Sequence, residues 1–242
     1  MTLIPSPAQL PTVRPLVTVD LAILTVREHR LHVLLVRRPT EPAEPYPGHW
    51  ALPGGFIRVG TDQTLLDCAQ RKLAEKTGVE SPYLEQVAAV GSADRDPRGW
   101  SVTHLYLALI PSNDVILRAG ANAAAAEWHP IEGDRVNVPL AFDHESLLAL
   151  ALDRLRAKIE YTSLPAFLLV EPFTLPELQH VYEVVLDRPV EKSAFRKRLF
   201  AQDFIEATGA SRETGKRPAA LYRLRYRDKP VYFPRTFSPR GD

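Results

Sequence analysis

Residues 54–79, GGFIRVGTDQTLLDCAQRKLAEKTGV, decide how the chain is read. They spell a Gly-Gly turn, an irregular loop, one amphipathic helix and a glycine stop. Leu65, Leu66, Cys68, Ala69 and Leu73 recur at helical spacing and give the helix a broad apolar side. Thr77-Gly78 supplies its C-terminal signal. Lys72, Glu75 and Lys76 stand at i, i+3 and i+4, so the spacing predicts one shared polar face.

That layout resembles the Nudix box, whose pattern is G-x5-E-x7-R-E-U-x-E-E-x-G-U with U aliphatic. Anchored on Arg71, Leu73, Glu75, Gly78 and Val79, the second half fits without a gap. The first half departs: Gln63 stands where the pattern has its first Glu, and two extra residues separate it from Gly55. Lys72 and Lys76 replace two of the three helix carboxylates that hold magnesium in the family, and Glu75 alone remains. Magnesium demands hard anionic oxygens in octahedral array. The exchange moves the trio from a formal −3 to +1, which repels a divalent cation and attracts a diphosphate, since Lys binds phosphate as a point charge. The bland alternative is a solvated helix face. The expectation is a fold that binds a nucleotide-like ligand with no catalytic residue and no metal.

The 242 residues suffice for two domains, and 45% apolar with 24% charged is ordinary for a globular chain. Net charge is +1, which excludes any whole-chain polyelectrolyte reading, but the halves differ. Residues 1–170 carry 16 Lys/Arg against 19 Asp/Glu, and residues 171–242 carry 14 against 10, so the C-terminal part is expected to face an anion. A single cysteine, Cys68, excludes an intramolecular disulfide and multi-cysteine zinc sites; among apolar neighbours it reads as a buried structural thiol. The first residues lack the layout of a signal peptide, and no apolar run reaches the ~20 residues of a membrane span, so a cytoplasmic chain with no membrane contact is expected.

In chain order, residues 1–15 are Pro-rich and read as a flexible arm. Residues 17–26 and 31–36 are β-rich and flank a charged turn, which predicts a hairpin ending at Arg37-Arg38. Residues 50–52 form a short strand that runs into Pro53-Gly54-Gly55. Residues 84–90 and 101–110 alternate as strands around a polar loop, residues 92–100. There Arg95 and Arg98 suit a diphosphate and Trp100 suits a base, or Asp-Arg pairs simply stiffen the loop. Trp128 reads as packing, and His104 and His129 as no ligands. Asp143 is expected to cap a helix over 146–159, and the first domain ends near Tyr161.

From Glu171 the rhythm changes. Thr174, Pro176 and Glu177 form a capping-box start for a helix to about Leu186. Asp187-Arg188-Pro189 is a tight connection, and a second helix covers about 191–202. Phe195 and Leu199 mark its buried side; Ser193 and Lys197, flanked by Lys192 and Arg196, lie opposite. Residues 204–207 pair with 220–224 across a basic loop holding Lys216 and Arg217. Helix, turn, basic helix and basic hairpin is the order of a winged helix-turn-helix. A helix fits the major groove and cations meet phosphates; a protein-binding winged module is the alternative.

Taken together, the degenerate box, residues 82–86, the loop Asp94-Arg95-Asp96-Pro97-Arg98-Gly99-Trp100, Leu140-Ala141-Phe142-Asp143-His144, Phe173-Thr174-Leu175-Pro176-Glu177-Leu178-Gln179 and Lys216-Arg217-Pro218-Ala219 resemble the Nudix-related transcriptional regulators of NAD metabolism, the NrtR family. The resemblance implies an α+β chain: a Nudix α/β/α sandwich over 16–161 followed by a winged helix-turn-helix over 162–242. It implies a homodimeric bacterial repressor that needs no cofactor, takes ADP-ribose or a related nucleotide as effector, and grips a palindromic double-stranded operator. Carried over by position, Arg38, Arg58, Lys72, Glu75, Arg95 and Arg98 belong to the ligand pocket. Thr174, Lys192, Ser193, Arg196, Lys197, Lys216 and Arg217 belong to the DNA surface. The rival reading is an active ADP-ribose pyrophosphatase with a basic accessory domain, its metal site rebuilt from Glu75 with Asp62, Asp67 or Glu80.

Overall fold

A computed structural model of the chain describes residues 14–78, 83–111, 125–213 and 217–234. Most of the expected arm, and Lys216 of the expected DNA surface, lie outside the described residues.

The hairpin expected near the start is β1 (Leu16–Arg27) and β2 (Arg30–Arg37). Its two-residue turn, Glu28-His29, has both φ angles positive, at 49° and 60°, the twist that a tight antiparallel hairpin requires. After the short strands β3 (Trp50–Ala51) and β4 (Gly54–Phe56) comes helix α1 (Leu65–Thr77). The strands β5 (Tyr83–Ser92), β6 (Ser101–Leu109), β7 (Ala125–Glu132) and β8 (Arg135–Val136) complete the first sheet. Its order is β5-β6-β1-β2-β7-β8, with β3 on β2 and β4 on β1. The β1–β6 pair is parallel, whereas β5–β6, β1–β2 and β2–β7 are antiparallel.

Period-two alternation sorts the sheet's two faces. Val19, Leu21 and Ile23 of β1, with Tyr106 and Ala108 of β6, pack on Cys68, Ala69 and Leu73 of α1. Ala22 and Leu24, with Leu105, Leu107 and Leu109, turn the other way and meet helix α2 (His144–Ile159) through Leu148, Leu152 and Leu155. This is the expected α/β/α sandwich. Cys68 is fully buried, and burial first, then Asp62, pushes its thiol up to about 11.

Helix α2 begins two residues before the expected 146, and Asp143 does not cap it with its side chain. That carboxylate instead accepts from Arg95 Nε and Nη2 at 3.0 and 2.9 Å.

Beyond a 3₁₀ turn at Leu164–Leu168 stand β9 (Phe173–Thr174), α3 (Leu175–Leu186), α4 (Lys192–Phe200), β10 (Ile205–Arg212) and β11 (Ala219–Leu224). The second sheet runs β10-β11-β9, which is winged-helix order. Thr174 and Glu177 close a reciprocal capping box on α3. Glu183 accepts from Val190 N–H at 3.0 Å and Gln179 donates to the Val190 carbonyl at 2.9 Å, clipping the α3–α4 turn to α3. β10 extends past the expected 207 because a bulge between Ala207 and Ser211, with Gly209 at φ +79°, absorbs the extra residues. The apolar core is continuous across the two parts, from Leu24 and Leu107 through Leu155 and Leu164 to Tyr182, Phe195 and Phe204.

Candidate functional site

The Nudix-like end is built around β4. Gly54 pairs with Asp20, and a Cβ there would lie 2.0 Å from Asp20 Oδ1 and 2.6 Å from the Val19 carbonyl. Gly55 sits at φ +140°, where a Cβ would meet Lys72 Nζ at 3.0 Å. The glycine pair therefore lets the backbone pass directly under the lysine.

On α1 the charges close on one another. Arg71 donates to both oxygens of the buried Asp62, at 2.8 and 2.5 Å, and this holds the Asp62 carboxyl far below the usual range. Asp62 also accepts from Arg58 N–H at 2.8 Å. Glu75 Oε1 lies 3.2 Å from both Arg71 Nη1 and Arg58 Nη1, and its Oε2 lies 3.8 Å from Lys72 Nζ. Three cations thus share the one carboxylate that remains in the box. Lys76, expected on the same open face, is instead buried at 8% exposure, and burial lowers its pKa.

The expected diphosphate clamp divides in two. Arg98 projects at the surface, bonded to Asp96 at 3.0 and 2.7 Å; burial works against the Asp96 carboxylate, but these bonds prevail and keep its pKa low. The Arg98 guanidinium lies 5.3 Å from the Phe56 ring centre and 6.0 Å from that of Phe142. Arg38 covers Phe142 at 4.8 Å, donates to the Pro45 carbonyl at 2.8 Å and pairs with Glu44 at 3.0 Å. Because Phe56 follows Gly55, this arginine–aromatic cluster adjoins the Lys72–Glu75 end.

Arg95 is not part of that open cluster. Its side chain is 6% exposed and holds Asp143, the Ser101 hydroxyl at 3.3 Å and, at 3.8 Å, Asp20. Asp20 accepts from Thr103 Oγ1 at 2.7 Å, and His144 Nδ1 accepts from Leu52 N–H at 2.9 Å. Burial lowers the His144 pKa, keeping the ring neutral. Arg95 therefore ties the clamp loop to the start of α2 and is a correction to the ligand set. Trp100 is half exposed, its ring edge 3.0 Å from where a Gly91 Cβ would stand.

Phe56 and Phe142 escaped the sequence reading. Phe142 has φ +56°, a strained position for an aromatic residue, which no periodicity shows. The stretch Leu140-Ala141-Phe142-Asp143-His144 carried the only hint.

At the other end, α4 buries Phe195 and Leu199 and exposes Lys192, Ser193, Arg196 and Lys197. Glu191 caps the helix, accepting from Ser193 and Ala194 N–H at 2.9 and 2.6 Å. Lys192, Arg196 and Lys197 have no partner among the described residues. Arg217 is exposed on the wing. Thr174 departs from the expected DNA surface: it is 4% exposed, its hydroxyl bonded within the α3 cap. A cavity of about 270 Å³ between α2, α3, α4 and Phe233 has largely apolar walls, and its two arginines, Arg188 and Arg198, both bond Glu160.

Among known families, residues 15–149 match the NUDIX domain and residues 165–224 the NrtR DNA-binding winged helix domain. The chain is 48% identical over 221 residues to the ADPR responsive transcriptional repressor NtrR of Acinetobacter baylyi, covering 91% of this chain and 86% of that protein. Shewanella oneidensis NrtR complexed with a 27mer DNA superposes with a TM-score of 0.78 at 45% identity, over 86% of this chain and 93% of that one. The NUDIX domain of the same protein complexed with ADP ribose gives 0.54 at 41% identity, over 62% and 93%.

Proposed function

We propose that this chain, which belongs to the NrtR family, is a bacterial transcriptional repressor of NAD-metabolism genes that releases its operator on binding ADP-ribose. It acts as a homodimer in the cytoplasm, its Nudix domain ending near Tyr161. The relatives named for ADP-ribose response and for complexes with DNA and ADP ribose support this reading.

The observation that carries it is the Glu75 carboxylate shared by Arg58, Arg71 and Lys72. A magnesium ion would have to enter against three cations that already occupy Glu75 and Asp62, so the donor set does not fit the metal that the fold family uses. An anionic diphosphate fits the same place, because it can take over Lys72 and Arg58 from Glu75. Phe56, Phe142 and the guanidinium of Arg98 offer flat surfaces for the adenine. The domain is thus a sensor in which hydrolysis of the ligand is absent or slight.

Helix α2 is the physical link between the two ends. Its 16 residues span about 24 Å. Asp143 at its start is held by Arg95 of the clamp loop; Glu160, just past its end, is bonded by Arg188 from the α3–α4 turn and by Arg198 of α4. A ligand that moves Arg98 and its loop therefore pulls on an element attached to the recognition helix. In a dimer both recognition helices must match half-sites ~34–36 Å apart, so a small rotation lowers affinity. Linkage makes the effect reciprocal: operator weakens ADP-ribose binding by the same factor.

The test is a gel-shift titration of the protein–operator complex with ADP-ribose, with AMP assayed in parallel. The reading expects operator affinity to fall by about 5–150-fold with little or no AMP. Unchanged affinity at millimolar ADP-ribose removes the sensor; AMP formation at ~1–10³ s⁻¹ makes the chain a hydrolase.

A further inference from the structure

The exposed face of α4 contains one residue that a cationic, solvated surface does not explain. Successive helical residues turn by about 100°, so with Ser193 as zero, Lys197 lies at about +40°, Arg196 at about −60° and Phe200 at about −20°. Phe200 therefore stands on the centre line of the face that Arg196 and Lys197 flank. It is 60% exposed, while the same helix buries its other two large apolar residues, Phe195 and Leu199, to 6% and 1%. Its ring centre lies 6.5 Å from that of Tyr222 on β11, tilted by 58°. The wing thus props the ring without covering it.

We propose that Phe200 is a specificity-determining residue that reads the C5-methyl group of a thymine in the major groove. The inference rests on the proposed repressor reading and names part of what its DNA surface recognises. The chemistry is direct. Thymine is the one base that presents a methyl group in the major groove, and an aromatic side chain is among the groups that meet it. Arg196 and Lys197 on either side bring the helix to phosphates and guanine edges, leaving the apolar ring over the groove between them. Burying the methyl group against the ring gains affinity only where a thymine stands at that step, so the residue contributes sequence preference and no salt dependence.

The experiment uses the full chain and a duplex selected by it from a random library. Each thymine of that duplex is replaced in turn by uracil, which removes the methyl group and leaves base pairing intact. For the wild-type protein, affinity is expected to drop about fourfold at one position in each half-site, the equivalent of one buried methyl-sized group. Phe200→Ala should be indifferent to that replacement while keeping the wild-type melting temperature and salt slope, and Phe200→Leu should restore part of the discrimination. If every uracil duplex binds the wild-type protein equally, or if Phe200→Ala weakens all duplexes alike and keeps the uracil penalty, Phe200 does not read thymine although the repressor reading stands. If the library yields no bound duplex, the repressor reading falls and the Phe200 inference with it.

Discussion

In helix α1 Arg71 and Lys72, with Arg58 from the preceding loop, close on Glu75 and Asp62, whereas in helix α4 Lys192, Arg196 and Lys197 stand exposed with no partner among the described residues. Both helices look basic in sequence, and the difference lies in what surrounds them. Around α1 the charges are already partnered, so a ligand there must exchange one ion pair for another, and its identity depends on geometry. On the proposed reading the open α4 charges meet a polyanion, whose binding releases counterions and depends steeply on salt. On the same reading, partnered cations hold the fold and gate a small ligand, and open cations bind a large one and contribute little to folding.

That contrast is sharp where a pair is buried. Asp143→Ala leaves the Arg95 guanidinium without its main partner and should cost about 3–5 kcal/mol of folding stability by chemical denaturation. A loss below about 1 kcal/mol would mean that Arg95 is as open as the α4 cations, and the division would collapse. Replacing Arg196 and Lys197 together by Ala should do the reverse. DNA affinity should drop roughly 100-fold or more and the salt slope should flatten, while unfolding shifts by no more than about 0.5 kcal/mol. Lys72→Ala sharpens the ligand side. Loss of one charge-assisted phosphate bond should weaken ADP-ribose binding roughly 10–100-fold by calorimetry, with operator affinity in the absence of ADP-ribose unchanged.

His144 tests the buried network by pH. Its folded pKa is depressed by burial, so the unfolded chain takes up a proton near pH 6.5 while the folded chain does not. Stability should therefore fall as pH drops below about 6.5, by up to about 1.4 kcal/mol per unit, and His144→Gln should flatten that limb of the melting profile. The smallest effect is expected at Arg188, whose 2.8 Å pair with Glu160 is more than half exposed on both sides. Arg188→Ala should change stability by less than about 1 kcal/mol, while a change in the response of DNA binding to ADP-ribose would place this pair in the link through α2.

Much of the architecture was legible because it depends on local rules. The alternation in β1 and β6, the glycine stop at Gly78 and the Thr174–Glu177 capping box are each written in a few consecutive residues. The site was less legible because its key contacts join distant segments. Arg95 and Arg98 look equivalent three residues apart, yet the nearby Asp143 draws one inward while Asp96 holds the other at the surface. Thr174 was legible as the start of α3, but not the burial that takes it off the expected DNA surface. Lys72 and Lys76 share a face by spacing, but the fold buries Lys76. Phe142 enters the cluster through a positive φ angle that only the folded backbone reveals.

The central claim is that the α1 cations let the Nudix domain hold ADP-ribose without metal and convert that binding into DNA release. Anisotropy of a labelled operator, saturated with the protein in EDTA and titrated with ADP-ribose, measures this directly. The account predicts at least a fivefold loss of operator affinity in the chelator. Release that appears only when magnesium is added back, or no release at all, would contradict it.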